Sequence, residues 1–116
     1  MCLITTQKEP LIAEKDILVW KLINKNNVSL HQRFFYSPNK LFPKVGLNIF
    51  SSCVHKRIFR GYHAFRSRDA ARIDRSYQCG DLKVVKFYIP KGAKYYIGDD
   101  NDIVADRIRS GDLKAQ

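Results

Sequence analysis

The chain has 116 residues, of which 45% are hydrophobic, and this length and composition exclude a disordered protein and predict a packed globular one. Its formal net charge is +10, and its three cysteines are widely spaced with no CxxC pair, which excludes a disulfide framework and a zinc knuckle. No uncharged run is long enough to span a membrane, and no secretory signal is recognisable. We therefore predict one basic domain, residues 1–116, in a reducing cytoplasm.

The first half of the chain predicts short strands separated by loops. Residues 1–16 predict an irregular lead-in, and the β-branched apolar run at residues 17–23 predicts a strand that ends in an asparagine-rich turn. Residues 33–36 predict a second short strand. The stretch that follows predicts a loop, with one short strand at residues 45–49.

The middle of the chain predicts a strand followed by the main helix. Residues 58–65 predict a strand with Gly61 inside it, where another backbone can approach closely. Ser67 is a suitable N-cap for the helix, and Gly80 fits the position after its end. Three residues recur at helical spacing and predict the apolar face of this helix: Ala70, Ile73 and Tyr77.

The last third of the chain predicts three strands. Residues 82–89 are the clearest strand of the sequence, and Pro90 ends it. Residues 94–97 and 103–108 predict a hairpin around an acidic turn, and we expect the polar tail from Ser110 to fray. Together these elements predict an α+β fold, a small, mostly antiparallel sheet of about five or six short strands with one main helix.

The excess of positive charge lies in one continuous part of the chain. Between Ile17 and Arg68 there are ten basic residues, all three histidines and no acidic residue, whereas eleven basic residues balance eleven acidic ones elsewhere. We call residues 17–68 the basic segment. Because a sustained positive potential concentrates anions, it predicts one continuous positive face and an anionic partner, nucleic acid or a nucleotide. The alternative is that the charge only keeps a solvated surface soluble.

The predicted binding site lies around the end of the strand at residues 58–65. Arginines bind phosphates, a tyrosine ring can stack on a base, and the first-turn amides of the following helix add positive potential. His63 joins the two arginines only if Gly61 distorts the strand, and a core histidine with satisfied hydrogen bonds is an equal alternative. The predicted ligand-binding residues are Arg60, Tyr62, His63, Arg66 and Ser67.

The sequence predicts no catalytic residue, no metal site and no cofactor. The cluster of Asp99, Asp100 and Asp102 lacks the central glycine and closing glutamate of a calcium loop, and a solvated turn explains it. Cys53 and His55 would face the same side of a strand, but a buried cysteine beside a surface histidine explains that pair. We therefore expect a binding protein rather than an enzyme.

Three segments resemble a family of short proteins from bacteriophages and Bacteroides-type bacteria: MCLI at residues 1–4, GYHAF at 61–65 and IPKGAKYYIG at 89–98. The resemblance covers most of the chain. It implies a phage or mobile-element origin and carries no activity with it. For a phage protein in a bacterial or infected host cell, it is compatible with countering a host defence system.

A second resemblance is to the ADP-ribosyltransferase fold. GYHAF at residues 61–65, the helix after it and the strand at residues 82–89 are similar to the wall of the NAD site in those enzymes. The first strand of those enzymes presents a histidine or arginine where this chain has Lys21, so the resemblance adds Lys21 to the ligand-binding residues. Their catalytic glutamate lies on a late strand, where this chain offers only the shorter Asp106. The resemblance therefore implies ligand binding without efficient transfer.

These observations predict a small phage-type binding protein whose basic segment engages an anionic partner, a nucleic acid or a nucleotide-like ligand. Two alternatives are kept: a degenerate ADP-ribosyltransferase-like enzyme that uses NAD, and a protein–protein inhibitor that presents its basic face to an acidic host protein. Salt-dependent binding of oligonucleotides, thermal stabilisation by NAD, or silence in both assays distinguishes the three.

Overall fold

The structure is a computed structural model that describes residues 3–7, 9–29, 35–51, 56–78 and 81–116. Within these residues the chain forms one α-helix and ten β-strands in two antiparallel sheets, which confirms the predicted α+β fold. The helix α1 spans Arg68–Ser76, and among the described residues there is no helix long and apolar enough to cross a membrane. The strands are β1 (Leu3–Thr5), β2 (Leu11–Ile12), β3 (Ile17–Asn24), β4 (Asn48–Ser51), β5 (Lys56–Arg60), β6 (Tyr62–Phe65), β7 (Leu82–Ile89), β8 (Lys94–Ile97), β9 (Asp102–Ala105) and β10 (Arg109–Ser110).

The described strands form one sheet of seven and one sheet of three. The large sheet has the order β10-β7-β3-β6-β9-β8-β2, and the small sheet has the order β1-β5-β4. Strands β1, β2 and β10 lie where no strand was predicted, so the lead-in is more regular than expected and the strand count is higher. Each is only two or three residues long and forms by pairing with a distant strand, which local sequence does not reveal.

The two clearest predicted strands are confirmed and pair with each other in the large sheet. β3 and β7 run antiparallel along their whole length, from Ile17 opposite Ile89 to Asn24 opposite Leu82. Alternate residues of a strand face opposite sides of a sheet, so each strand contributes to both faces. The inner face of this pair is buried in the main core, whereas the outer face is covered at one end only.

The residues on both sides of Gly61 are strand, as predicted for residues 58–65, and the close approach predicted at Gly61 is confirmed, but the prediction of one continuous strand is wrong. β5 before the glycine belongs to the small sheet, and β6 after it belongs to the large sheet. Gly61 has a φ of +138°, which residues with a side chain rarely adopt, and a Cβ there would lie 2.6 Å from the side chain of Val104. The glycine therefore lets the chain turn from one sheet into the other.

The described hydrophobic residues form a main core on the inner face and two smaller clusters on the outer face. The main core combines β3, β6, β7 and β9 with side chains of residues 36–45 and 108–113. On the outer face, α1 packs Ala71 against Leu22 of β3 and Val84 of β7. The small sheet packs on the outer face of β8 and β9 through Leu3, Ile58, Tyr96 and Val104.

The helix α1 begins as predicted but turns a different side to the sheet. Ser67 is confirmed as the N-cap, because its hydroxyl accepts a hydrogen bond from the amide of Ala70 at 3.1 Å. The predicted apolar face is wrong: Ala71 is buried, while Ile73 and Tyr77 are 61% and 82% exposed. A small side chain lets the helix approach the sheet closely, so the side with Ala71 is buried and the larger side chains stay outside.

The C-terminal part contains the predicted hairpin and a packed tail. β8 and β9 pair with Ile97 opposite Ile103, which confirms the hairpin. The prediction of a frayed tail is wrong, because Leu113 is buried and the amide of Gln116 donates a hydrogen bond to the carbonyl of Val84 at 2.9 Å. The tail therefore lies along β7.

Three other predictions concern residues that lie in or beside segments outside the described residues. Residues 30–34 lie outside the described residues, and Phe35 after them forms an isolated bridge with Val28. The strand predicted at residues 45–49 occurs slightly later, as β4, because it pairs with β5. Gly80, predicted to follow the helix, also lies outside the described residues.

Candidate nucleic-acid interface

Lys21 lies in the protein interior. Its side chain is on the inner face of β3 and is only 7% exposed. Its ammonium nitrogen lies 5.3 Å from the centre of the Tyr36 ring and 5.9 Å from that of Phe87, and it donates a hydrogen bond to the main-chain carbonyl of His63. Burial lowers the pKa of Lys21 to about 8. Lys21 does not reach the surface, so the prediction of one continuous positive face is wrong at this residue.

Tyr62 is buried on the same inner face as Lys21. Its ring belongs to the main core, and its hydroxyl donates a hydrogen bond to the main-chain carbonyl of Pro43 at 2.6 Å. Burial raises the pKa of Tyr62, and burial together with the neighbouring Tyr62 raises the pKa of Tyr36. The ring of Tyr62 is therefore part of the main core and is not open to a stacking base.

His63 lies on the opposite side of β6 and is half-buried. Its Nδ1 atom lies 3.2 Å from the carbonyl oxygen of Gly61, and its Nε2 atom lies 3.2 Å from that of Ile58. Burial lowers the pKa of His63, and the charge of Lys21 adds to this, while the two carbonyl contacts oppose it. This environment corresponds to the core-histidine alternative rather than to a third surface cation.

The arginines on either side of β6 are exposed but stand apart. Arg60 ends β5 in the small sheet, and Arg66 follows β6 in the large sheet. The four residues of β6 separate them by about 13 Å of strand. The amide of Arg66 donates to the carbonyl of Asn101 at 2.9 Å, and Ser67 caps α1. The structure thus joins Arg66 and Ser67 to the start of α1 and leaves Arg60 at the other end of β6.

The helix α1 presents further arginines to solvent. Asp69 and Asp74 lie on the same helix, but within the described residues no arginine of this region forms an ion pair with them or with another carboxylate. The guanidinium groups are therefore free to meet an external anion. We call the exposed arginines of this region the arginine surface: Arg66, Arg68, Arg72 and Arg75.

The outer face of β3 and β7 is partly exposed next to the part that α1 covers, and Trp20 packs against the edge of that covered part. Two cross-strand pairs lie there, Trp20 opposite Lys86 and Leu18 opposite Tyr88, and Arg109 of β10 lies opposite Tyr88. Leu18 is 41% exposed, and the other four side chains are half-buried. We call these five residues the aromatic sheet face: Leu18, Trp20, Lys86, Tyr88 and Arg109.

Each aromatic ring of this face has a cation over it. The ammonium nitrogen of Lys86 lies 5.8 Å from the centre of the Trp20 ring, and the guanidinium carbon of Arg109 lies 4.7 Å from that of Tyr88. Asp16 is the carboxylate at its margin, with Oδ2 at 3.2 Å from an Arg109 nitrogen, and both side chains of this ion pair are substantially exposed. The aromatic sheet face therefore combines two half-buried rings with positive charge.

The aromatic sheet face borders the arginine surface. Phe65 of β6 lies opposite Trp20, and Arg66 follows it directly in the chain. Sequence reasoning missed this face because its residues come from three strands whose pairing was not predicted. The one local signal is alternation: in β7, Lys86 and Tyr88 stand at every second position, on the side opposite the buried Phe87.

The buried carboxylate of Asp106 has a role within the fold. Oδ1 of Asp106 accepts a hydrogen bond from the amide of Lys94 at 3.0 Å, and its Oδ2 lies 3.9 Å from the ammonium nitrogen of Lys44. The charge of Lys44 is therefore partly neutralised by Asp106, so Lys44 is a second residue of the basic segment at which the predicted positive face is interrupted. Burial raises the pKa of Asp102. Among the residues that the structure describes, no three histidine, cysteine or acidic side chains are placed to hold a metal ion.

No protein-family description, curated protein or solved structure matches this chain. Both resemblances noted in the sequence stay predictions.

Proposed function

We propose that the protein binds a phosphate-bearing anion, a nucleic acid or a nucleotide-like ligand, through the arginine surface. The supporting observation is that its four exposed arginines fall within ten residues of chain and form no ion pair with any described carboxylate. Arginine suits phosphate because its planar guanidinium donates two parallel hydrogen bonds to the phosphate oxygens. The same ten residues contain only two acidic residues, so the region keeps a net positive charge.

The start of α1 contributes less than the arginines do. The hydroxyl of Ser67 already accepts the amide hydrogen of Ala70, and Asp69 places a negative charge in the first turn. The potential of a helix end is worth only about 0.3–1 kcal/mol for an exposed anion, and Asp69 offsets part of it. We therefore assign the affinity to the side chains of the arginine surface, with Ser67 fixing where the helix begins.

The phage-type resemblance extends this proposal to a biological role. A small protein that withholds a nucleic acid or a nucleotide signal from a host defence component needs affinity but no catalysis. The burial of Lys21 and Tyr62, and the hydrogen bond between Asp106 and the amide of Lys94, give those residues structural explanations. The proposal thus assigns binding to the protein and no group transfer.

A protein partner is a second candidate, and one observation favours it. Ile73 and Tyr77 are among the most exposed large hydrophobic side chains of the described structure; Ile73 lies on α1 with the arginines, and Tyr77 is the C-cap of the helix. An acidic protein surface with an apolar centre would match such a combination. This candidate corresponds to an inhibitor of a host factor.

The test of the proposed function is the salt dependence of oligonucleotide binding. Fluorescence anisotropy of a labelled duplex and a labelled single strand, between about 50 and 200 mM salt, gives the slope of log affinity against log salt concentration. Replacing Arg72 and Arg75 together by alanine is expected to lower this slope by about 0.7–0.9 for each arginine that contacts a phosphate. Thermal shifts with NAD, ADP-ribose and cyclic nucleotides test the nucleotide version.

The matched control removes the same charge elsewhere. Lys15 and Lys94 are exposed, and both are replaced by alanine. The hydrogen bond from the main-chain amide of Lys94 to Asp106 is kept, because alanine has the same amide. The doubly substituted control should keep the wild-type slope. An equal loss in both double variants would mean that net charge alone attracts the ligand. Absence of binding by every oligonucleotide and nucleotide would overturn the proposal in favour of the protein partner.

A further inference from the structure

Trp20 and Tyr88 are diagonal neighbours on the outer face of the large sheet. Trp20 lies opposite Lys86, and Tyr88 is two residues further along β7, opposite Leu18. Diagonal neighbours of an antiparallel pair have their Cα atoms about 7–8 Å apart, with the side chains on the same face. Two aromatic residues are thus held as neighbours on one face of a β-sheet.

The cations of this face are placed to neutralise phosphate beside the rings. Lys86 lies over Trp20, and Arg109 lies over Tyr88, so each ring is paired with one positive group. A ligand that carries only negative charge would gain nothing from contact with the rings, and an apolar ligand would gain nothing from contact with the cations. A nucleotide chain offers both, because every base has a π-face and every linkage carries a phosphate.

The same geometry favours single strands over duplexes. In a duplex the π-faces of the bases are stacked on each other, and only edges and phosphates are accessible. Unpaired bases can be splayed out and stacked on aromatic side chains of a sheet or on arginine guanidinium planes. Leu18, which is 41% exposed beside Tyr88, adds an apolar contact for a base that lies flat on the sheet.

We propose that the aromatic sheet face binds single-stranded nucleic acid, with Trp20 and Tyr88 stacking on two neighbouring bases and Lys86 and Arg109 meeting the adjacent phosphates. This inference rests on the proposed function, because the arginine surface borders the same face at Arg66 and supplies the remaining phosphate contacts. It deepens that function by naming the ligand class: unpaired bases rather than duplex.

The test uses the fluorescence of Trp20, which is the only tryptophan of the chain. The protein is titrated with three ligands: a single-stranded oligonucleotide, an abasic oligonucleotide of the same length, and a duplex. The abasic strand has the same phosphates and no bases. We expect the single strand to quench Trp20 and to bind at least about 30-fold more tightly than the abasic strand, since two stacked bases contribute about 1–3 kcal/mol each.

A variant pair locates the effect. Tyr88→Ala should remove most of the preference for the single strand over the abasic strand, whereas Phe35→Ala, which removes an exposed ring from another part of the chain, should leave it unchanged. Lys86→Ala keeps both rings and should weaken binding of both strands alike. If Tyr88→Ala does not fold, the comparison of the three ligands on the wild-type protein still shows whether binding depends on unpaired bases.

The outcomes separate this inference from the proposed function. Equal affinity for the single strand and the abasic strand, or no quenching of Trp20, would overturn the inference while the salt-dependent role of the arginines stands. If the wild-type protein binds none of the three ligands, the inference is overturned and nucleic acid is no longer a candidate ligand of the proposed function. The thermal-shift assay then tests whether the ligand is a nucleotide. Quenching of Trp20 by an acidic protein but by no oligonucleotide would point to the protein partner instead.

Discussion

The ammonium group of Lys21 donates a hydrogen bond to the main-chain carbonyl of His63 on the neighbouring strand β6. The pair lies within the fold: the lysine side chain is in the main core, and the histidine ring is half-buried on the other side of the sheet. Burial lowers the pKa of the histidine, and the lysine charge adds to this effect. A basic residue that sequence reasoning assigned to a ligand is therefore used inside the protein.

Replacing Lys21 by methionine should stabilise the protein. Methionine has a similar length and no charge, and exchanging a buried ionic group for a well-packed hydrophobic one is neutral or stabilising by about 1–4 kcal/mol. Urea unfolding at neutral pH measures the free energy of unfolding. Lys86→Met, at a half-buried position, is the control and should change stability by less than about 0.5 kcal/mol. A Lys21→Met protein less stable than wild type would mean that the hydrogen bond to His63 and the contacts with two rings outweigh the cost of burial.

The stability of the wild-type protein should rise with pH above pH 8. The pKa of Lys21 is about 8 in the folded protein and 10.5 in an ordinary environment, so the unfolded chain holds the proton over this range and the folded protein does not. The free energy of unfolding should therefore increase, by up to about 3 kcal/mol if the whole range is crossed. The Lys21→Met variant should lack this increase, and an equal slope in both proteins would contradict the assignment. Measurements should stop near pH 10, because the pKa of Tyr36 is raised and tyrosine ionisation of the unfolded chain then lowers stability.

Acid should weaken the fold through His63 before the carboxylates titrate. Burial lowers the pKa of His63 below its ordinary value of 6.5, so the unfolded chain takes up the proton first as the pH falls. The free energy of unfolding should decrease below pH 6.5, and the window that isolates this residue ends near about pH 5, where carboxylates begin to contribute. His63→Asn cannot titrate and should show a smaller decrease in the same window. His31 and His55 are present in both proteins, so the difference between the two curves reports His63 alone.

Gly61→Ala should destabilise the protein by more than about 1 kcal/mol. Its φ of +138° is unfavourable for alanine, and the added Cβ would lie 2.6 Å from the Val104 side chain and 2.7 Å from that of Leu47. Gly46→Ala is the matched control, because a Cβ there meets no atom within 4 Å, and it should leave the melting temperature nearly unchanged. Similar melting temperatures for the two variants would show that the turn between the sheets tolerates a side chain.

The parts of the fold that could be predicted from sequence are those decided by local chemistry. The apolar, β-branched runs of β3 and β7 and the N-cap Ser67 carry their signals within a few residues. The short strands β1, β2 and β10 could not be predicted, because their backbone hydrogen bonds come from partners far away in the chain. The break at Gly61 gave a signal in the glycine itself, but the sequence did not say that two sheets meet there.

The candidate site was predicted less well than the fold for a related reason. Charge and aromatic content are visible in a sequence, but the side of a strand that becomes buried depends on what packs against it. Lys21 and Tyr62 face the main core and are lost to a surface site, whereas Trp20, one residue from Lys21, faces outward. Arg66 was found because it stands next to a helix cap, which is a local signal.

Replacing Asp16 by asparagine should strengthen binding of single-stranded oligonucleotides. Its Oδ2 atom lies 3.2 Å from an Arg109 nitrogen. The carboxylate therefore competes with a phosphate for the guanidinium, and its negative charge repels the phosphate. Asparagine removes the charge and keeps an oxygen that can accept the hydrogen bond from the amide of Lys91. Because an exposed ion pair contributes only about 0–1 kcal/mol, the melting temperature should change little.

The control is Asp99→Asn, which changes the same charge on an exposed turn before β9. At low salt the Asp16 variant should bind a single strand several-fold more tightly than the control does, a difference of about 1 kcal/mol, and this gain should shrink as salt screens the charge. Equal affinities of the two variants would mean that Arg109 does not meet the phosphates of the ligand.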